Sequence, residues 1–281
     1  MKRIILLIYI ALLPLSLLAA ENSPTLAEWQ RAAQNPLSPH YSLPIEYKYH
    51  GNAPAGSVHI GSFGAIMPAR FDGWDIISQF TLNIMGTPGD ITGIKGIPEP
   101  YVGTGGYRGS EGYAAGLADS FFTSYFVPRM GGNFSLGVGA AIVLPTDEPS
   151  RELGSGKFSI GPAVMAVYQP KNWTLSLQAQ QIWSVLGSAG RNNVSQMIIK
   201  PTINYNLANG WYLLSNMEVI ANWNSVSAQR WTVPVGGGVG KVFAVAGNAI
   251  DARVESYYNA VTPDQGSAWS INASFSFIFG N

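Results

Sequence analysis

The segment from Trp173 to Trp183 alternates apolar and polar side chains and carries a tryptophan at each end. Successive side chains of a β-strand point to opposite faces, so Leu175 and Leu177 share one face and Gln178 and Gln180 share the other. A strand of about 9 to 11 residues crosses a bilayer at a tilt, with aromatic residues at both membrane interfaces. The segment therefore predicts a strand with lipid on one side and water on the other.

Only 11% of the residues are charged and 47% are hydrophobic, yet the one continuous apolar run lies at the start of the chain. Lys2 and Arg3 precede an apolar segment, residues 4–18, which is followed by Ala19-Ala20. This order is typical of a secretory signal peptide, predicted over residues 1–20, with an amino-terminal membrane anchor as the alternative. An exported chain without cysteine needs no disulfides, and a formal net charge of zero argues against a nucleic-acid partner.

Residues 21–41 are predicted to form a periplasmic N-terminal segment that contains a short helix. Thr25 and Glu28 have the spacing of a capping box, and Asn35-Pro36 follows about two turns later. Because the predicted helix is short and has a narrow apolar stripe, we expect it at the periplasmic mouth of a barrel. A plug inside the barrel is the alternative.

The alternation recurs along the chain and predicts twelve strands. Barrels of the bacterial outer membrane have an even number of strands, and twelve satisfies this rule. Residues 42–281 are therefore predicted to be all-β, a transmembrane antiparallel β-barrel of about 12 strands in the bacterial outer membrane. The expected partners are membrane lipid and the barrel-insertion machinery, since the aromatic strand that ends at Phe279 is similar to a barrel-insertion signal. The predicted strands cover residues 42–49, 57–69, 74–85, 115–127, 133–144, 157–169, 172–184, 194–206, 211–223, 229–243, 249–260 and 267–279.

The connections between these strands sort by length onto two sides. Links after even-numbered strands are short and rich in turn residues, as in Asp72-Gly73 and Asn209-Gly210. Links after odd-numbered strands include the long segments 86–114, 145–156 and 185–193. A barrel whose termini both lie in the periplasm has this asymmetry. A soluble antiparallel sandwich, the alternative fold, would not explain it.

Charged and amide side chains on the polar faces of the strands are the candidate lumen residues. A lysine or arginine on the lipid face costs about 2 to 4 kcal/mol at the bilayer midplane, so these side chains are expected to face the lumen. There they either tune the selectivity of a channel or pair with one another inside a closed barrel. The candidates are Gln178, Gln180, Lys200, Asn204, Glu218, Arg230, Asp251, Arg253 and Glu255.

A glycine-rich segment from Gly236 to Lys241 resembles a phosphate-binding loop but lacks its first glycine and its final Ser or Thr. We expect the three consecutive glycines to break the tenth strand by a kink or bulge, and they would also widen the lumen. No metal, cofactor or catalytic residue is predicted from this segment.

The three histidines, His40, His50 and His59, match no metal-binding motif. No nucleophile elbow occurs in the chain. An outer-membrane hydrolase with His59 as its base is therefore an alternative without a supporting motif. Four loop residues, which either bind a divalent cation or lie in a solvated loop, are Asp147, Glu148, Arg151 and Glu152.

Several segments resemble an outer-membrane family associated with the meta-cleavage pathways of phenol degradation. They are Leu144-Pro145-Thr146, Gly154 to Ala163, Gly210 to Leu213, Trp231 to Phe243 and Tyr257 to Asp264. The resemblance runs in order from about Asn35 to Phe279. It implies a transporter of aromatic or other hydrophobic compounds.

The sequence thus favours a channel or transporter for small hydrophobic or aromatic molecules, working by passive diffusion and not as an enzyme. A structural or surface-interaction barrel with a closed lumen is the second hypothesis. In that case the glycine-rich loop of residues 86–114 is presented at the surface, whereas in a channel it is a candidate gate.

Overall fold

The computed structural model describes residues 24–88, 91–95, 113–147 and 153–280. The predicted signal peptide and most of the 86–114 loop lie outside these residues. One α-helix, α1, covers Leu26–Ala33. The strands are β1 Ser42–Ala53, β2 Gly56–Arg70, β3 Trp74–Thr87, β4 Ala114–Leu117, β5 Ser120–Pro128, β6 Phe134–Leu144, β7 Lys157–Tyr168, β8 Trp173–Gly187, β9 Ser195–Asn206, β10 Trp211–Asn216, β11 Val219–Asn222, β12 Trp231–Val245, β13 Asn248–Val261 and β14 Trp269–Ile278.

The strands form one antiparallel sheet that closes on itself. The closing seam pairs β1 with β14, from Ser42 opposite Ile278 to Gly51 opposite Trp269. β4 and β5 both pair with β3 and are two halves of one barrel strand, as are β10 and β11 between β9 and β12. The barrel therefore has 12 strands, which confirms the predicted fold class. The sandwich alternative is wrong, because the sheet has no second sheet to pack against and closes edge to edge.

The connections separate onto the two ends of the barrel as predicted. The links 71–73, 129–133, 169–172, 207–210 and 246–247 make the short-turn end. The links 88–113, 145–156, 188–194, 223–230 and 262–268, together with the short turn at 54–55, make the long-loop end. Helix α1 lies at the short-turn end, where it contacts the 208–210 turn and strands β12 and β13. Within the described residues, no helix has the length and hydrophobicity needed to span a bilayer.

The outer surface of the barrel is an apolar belt with aromatic residues at both edges. Along β8, Trp173, Leu175 and Leu177 are exposed, whereas Thr174 and Gln180 are buried inside. Strands β13 and β14 alternate in the same way. Exposed tryptophans occur at both ends of the barrel, at Trp173 and Trp211 near the short turns and at Trp183, Trp223 and Trp269 near the long loops. This surface suits a hydrocarbon layer between two interfaces.

Strand β12 runs unbroken through the three glycines, so the expected break at Gly236–Gly238 is wrong. The irregularity lies earlier, as a bulge between Val233 and Pro234. A Cβ atom at Gly238 would overlap the carbonyl oxygen of Val254 on the neighbouring strand β13. The glycine therefore permits two backbones to approach closely. A wider lumen at this point stays a prediction.

We expect Gly238→Ala to lower the thermal stability and the folded yield of the barrel. The added methyl group must push β12 away from β13, and overpacking of this kind costs about 1 to 3 kcal/mol. The gel mobility of unheated and heated samples, together with thermal unfolding, measures the effect. Gly61→Ala is the matched control, because a Cβ there meets no atom within 4 Å. Equal stability of the two variants would contradict the prediction.

Candidate functional site: the barrel lumen

The N-terminal segment lies across the lumen at the short-turn end. Thr25 caps helix α1 through the predicted capping box, with the Glu28 backbone N–H donating to Thr25 Oγ1 at 3.3 Å. Trp29 of this helix is only 1% exposed and packs in a hydrophobic cluster with Tyr212, Leu214 and Ile278. The cluster joins the helix to strands on one side of the barrel mouth.

Polar contacts fix the segment to the barrel wall. Gln30 Nε2 donates to the backbone oxygen of Trp211 at 3.1 Å, and Gln34 Nε2 donates to Asn206 Oδ1 at 2.7 Å. Further along, Gln79 Nε2 of β3 donates to the Pro36 carbonyl oxygen at 3.0 Å. The helix therefore lies at the mouth, as expected, and the residues after it enter the lumen, as in the plug alternative.

The described part of the loop between β3 and β4, residues 91–95, folds into the barrel at the long-loop end. Ile91 and Ile94 are buried in a cluster with Val58, Met85 and Leu153 on one side of the lumen. Between them, Gly93 lies against Thr232 and Pro263 on another side. Residues 91–95 therefore lie across the lumen between these two sides.

Three cavities lie next to one another inside the barrel, and we call them the outer, middle and inner cavities. The outer cavity, near the long loops, shares Asp119 and Phe121 with the middle cavity. The middle cavity shares Glu46, Lys48 and Lys200 with the inner cavity, whose floor is the N-terminal segment. Because neighbouring cavities share lining residues, the three cavities adjoin one another between the long loops and helix α1.

A cluster of ion pairs surrounds the boundary between the middle and inner cavities. Lys200 Nζ lies 2.8 Å from Glu218 Oε2, and Lys48 Nζ lies 3.4 Å from the same oxygen. Lys48 Nζ is also 3.5 Å from Glu46 Oε2. Glu218 lies in the interruption between β10 and β11, opposite β1 across the lumen. Lys200 and Glu218 belong to neighbouring strands, whereas Lys48 of β1 is distant from both in sequence, so the cluster ties two separate parts of the barrel wall together.

A second charged group lines the wall along β13. Tyr212 donates its hydroxyl hydrogen to Asp251 Oδ1 at 2.6 Å. Arg253 Nε lies 3.3 Å from Glu255 Oε1, and the Tyr257 hydroxyl donates to the other oxygen of Glu255. Each buried charge has a nearby partner, which offsets the cost of removing it from water.

The structure places the predicted lumen residues at different depths. Gln178, Lys200, Asn204, Asp251 and Arg253 line the inner cavity, and Glu218 lines the middle one.

Gln180 and Glu255 are buried on the inner face of the barrel and line none of the three cavities. Arg230 lies apart from the other predicted residues, at the long-loop rim, with its guanidinium 5.4 Å from the Trp223 ring. The role of any of these residues in a solute path remains a prediction.

The three histidines lie in different parts of the barrel and do not form one site. His50 lines the middle cavity, whereas His40 Nδ1 is 2.8 Å from Ser38 Oγ near the short-turn mouth. His59 lies on the outer face, where its Nδ1 is 2.6 Å from the Tyr47 hydroxyl. Across the ranges that the structure describes, no three His, Asp or Glu side chains are arranged to hold a metal ion.

The Asp147 carboxylate is occupied by protein groups. It accepts hydrogen bonds from Arg191 at 3.1 Å and from the Gly154 backbone at 3.3 Å. The other three candidates for a cation site, Glu148, Arg151 and Glu152, lie outside the described residues. The contacts of Asp147 favour a structural role in holding the long loops together.

Several residues of the lumen were missed by the sequence analysis. Glu46, Lys48 and His50 alternate with Ile45 and Tyr47 along β1, which is the pattern that identified the other lumen residues. The alternation along β1 therefore identifies these three side chains as lumen residues, although they were not among the predicted candidates. Lys95 and its position in the lumen carry no such pattern, because the residue lies in a loop.

The closed sheet, apolar belt and polar lumen define this protein as an outer-membrane-type β-barrel with a porin-like architecture. No protein-family model matches the chain, and no curated protein matches it in sequence. An outer membrane channel from Pseudomonas putida F1 shares the fold with a TM-score of 0.59 and 14% identity, over 85% of this chain and 95% of that chain. The NanC porin gives a TM-score of 0.54 and 9% identity, over 85% of this chain and 100% of that chain. At these identities the likeness establishes a shared fold.

Proposed function

We propose that this protein is an outer-membrane channel through which small hydrophobic or aromatic molecules diffuse passively, without a chemical step. The row of three adjoining cavities inside the barrel carries the proposal. Lipid surrounds the belt, a cleaved signal peptide of residues 1–20 directs export, and the barrel-insertion machinery assembles the chain.

The volume and the lining of the middle cavity favour an aromatic solute. Its volume is about 160 Å³, comparable to an engineered cavity of about 150 Å³ that binds benzene. Ile60, Met85, Ile94 and Phe121 supply its apolar wall, and the ion-pair cluster supplies its polar wall. The resemblance to a family linked to phenol degradation points to the same class of solute.

Conductance and uptake test the proposal together. The purified protein is reconstituted in planar bilayers, and uptake of a labelled aromatic compound is measured in Gram-negative cells with and without the chain. We expect single-channel currents and faster uptake when the barrel is present. Absence of both would overturn the proposal.

A barrel with a closed lumen is the second candidate. It is favoured by the N-terminal segment at the short-turn end and by residues 91–95 at the long-loop end. Replacing residues 89–112 with a short Gly-Ser link would distinguish the two. If the loop gates a channel, conductance rises because the segment that crosses the lumen is removed. An intact barrel whose conductance stays at zero after the replacement would support the closed alternative.

A further inference from the structure

Lys95 stands out among the cations of the lumen because of its partner. Its ammonium nitrogen lies 3.7 Å from the centre of the Phe121 ring, a cation–π contact. Among the residues that the structure describes, no carboxylate forms an ion pair with it. The side chain lines the middle cavity, enclosed by protein but partly open to the cavity space.

The carboxylates that line the same cavity have other partners. Asp119 is held through its Oδ2 atom, which accepts from the Ser155 backbone N–H at 2.7 Å and from the Ser155 hydroxyl at 2.6 Å. Glu218 is held by Lys200 and Lys48, and Glu46 is held by Lys48. Lys95 is therefore a cation that faces an enclosed space without an anionic partner. An enclosed charge of this kind is stabilised by a ligand of opposite sign.

The middle cavity has an apolar wall and a charged wall, and one small molecule that fills the cavity would contact both. Phe121 marks the boundary with the outer cavity, and its ring packs beneath the ammonium group. Met85 and Ile94 extend the apolar wall beside it. A ligand that fills this space best has an aromatic ring and one carboxylate.

We propose that the middle cavity is a binding site for a small aromatic carboxylate, whose ring packs against Phe121 and whose carboxylate pairs with Lys95. The site rests on the proposed channel function, because it lies on the same row of cavities. The proposed site narrows the class of solute to aromatic acids in their ionised form.

The charge of Lys95 makes this site dependent on pH. Burial, followed by the repulsion of Lys200, lowers the pKa of Lys95 to about 7. The ammonium is therefore charged below pH 7 and loses its proton above it. Binding of a carboxylate strengthens as the pH falls from 8 to 6. The other charged groups that act on Lys95 are Lys48, Glu46 and Glu218.

Titration calorimetry with the detergent-solubilised full chain tests the site, with benzoate, benzyl alcohol and acetate as probes. We expect benzoate to bind more tightly than either of the others. Lys95→Met keeps the stem over Phe121 and removes the charge, so it should weaken benzoate binding by about tenfold or more. Lys95→Arg should retain binding, and benzyl alcohol should bind both variants equally.

Lys171→Met is the matched control, since it removes the same charge from an exposed turn at the short-turn end. Unchanged benzoate affinity in a folded Lys95→Met barrel would overturn the proposal. Acetate affinity equal to that of benzoate would overturn its aromatic part. A barrel that binds benzoate through Lys95 but passes no current or solute would contradict the channel function and leave the site standing.

Discussion

Trp29→Ala is expected to raise the conductance of the barrel several-fold by releasing helix α1 from the short-turn mouth. Trp29 is 1% exposed and supplies the largest side chain of the cluster that holds the helix. Truncation of a buried tryptophan costs about 3 to 5 kcal/mol. The loss falls on the helix and not on the barrel, because the closing ladder between β1 and β14 contains no residue of α1. Planar-bilayer recordings measure the conductance.

The control for this variant is Trp173→Ala, which truncates a tryptophan that is 43% exposed on the outer face. It should leave the conductance unchanged. Limited proteolysis reports whether helix α1 is released. A released helix without a rise in conductance would show that the short-turn mouth is not restrictive. Deletion of residues 24–38 provides the same test in a form that does not depend on local unfolding.

Glu218→Gln is expected to shift the ion selectivity of the channel strongly towards anions. The substitution keeps the size of the side chain but removes the negative charge between Lys200 and Lys48. Two ammonium groups then face the passage without this counter-charge, and charged rings of this kind set selectivity. Removing one partner of a fully buried ion pair costs about 3 to 5 kcal/mol. Lys200 and Glu218 are only partly buried, so the thermal stability should fall by less than this amount.

The reversal potential under a KCl gradient measures the selectivity. Asp264→Asn is the control, because Asp264 is exposed in the link between β13 and β14. The double variant Lys48→Met/Glu218→Gln restores the charge balance and should move the reversal potential back towards that of the unmodified protein. An unchanged reversal potential in the folded Glu218→Gln barrel would contradict the assignment of Glu218 to the ion path.

The strands, and the side of the barrel wall to which each side chain points, were predictable from the sequence because each strand separates lipid from the polar lumen. In β14, the aromatic residues Phe275 and Phe277 face outward and Ser274 and Ser276 face inward, as the alternation predicted. The short turns were equally readable, since Asp72-Gly73 and Asn209-Gly210 provide the positive φ angles at Gly73, Asn209 and Gly210.

The pairing of lumen charges was not predictable from the alternation. Glu218 meets Lys48 and Lys200 because the closed barrel brings β1, β9 and the β10–β11 interruption together. The register of β9 with β10 continues unchanged into its register with β11, so no sequence pattern marks the interruption. The position of Lys95 depends on how a loop folds into the lumen, and loops have no periodic signal.

The last strand completes the docking surface of helix α1. Ile278, at the end of β14, belongs to the cluster that holds Trp29, whose other wall residues lie on β10, β12 and β13. We therefore expect helix α1 to dock fully only after β14 has paired with β13. Contacts between residues so far apart in sequence form slowly. The short-turn mouth is then expected to stay open until the last strand is in place.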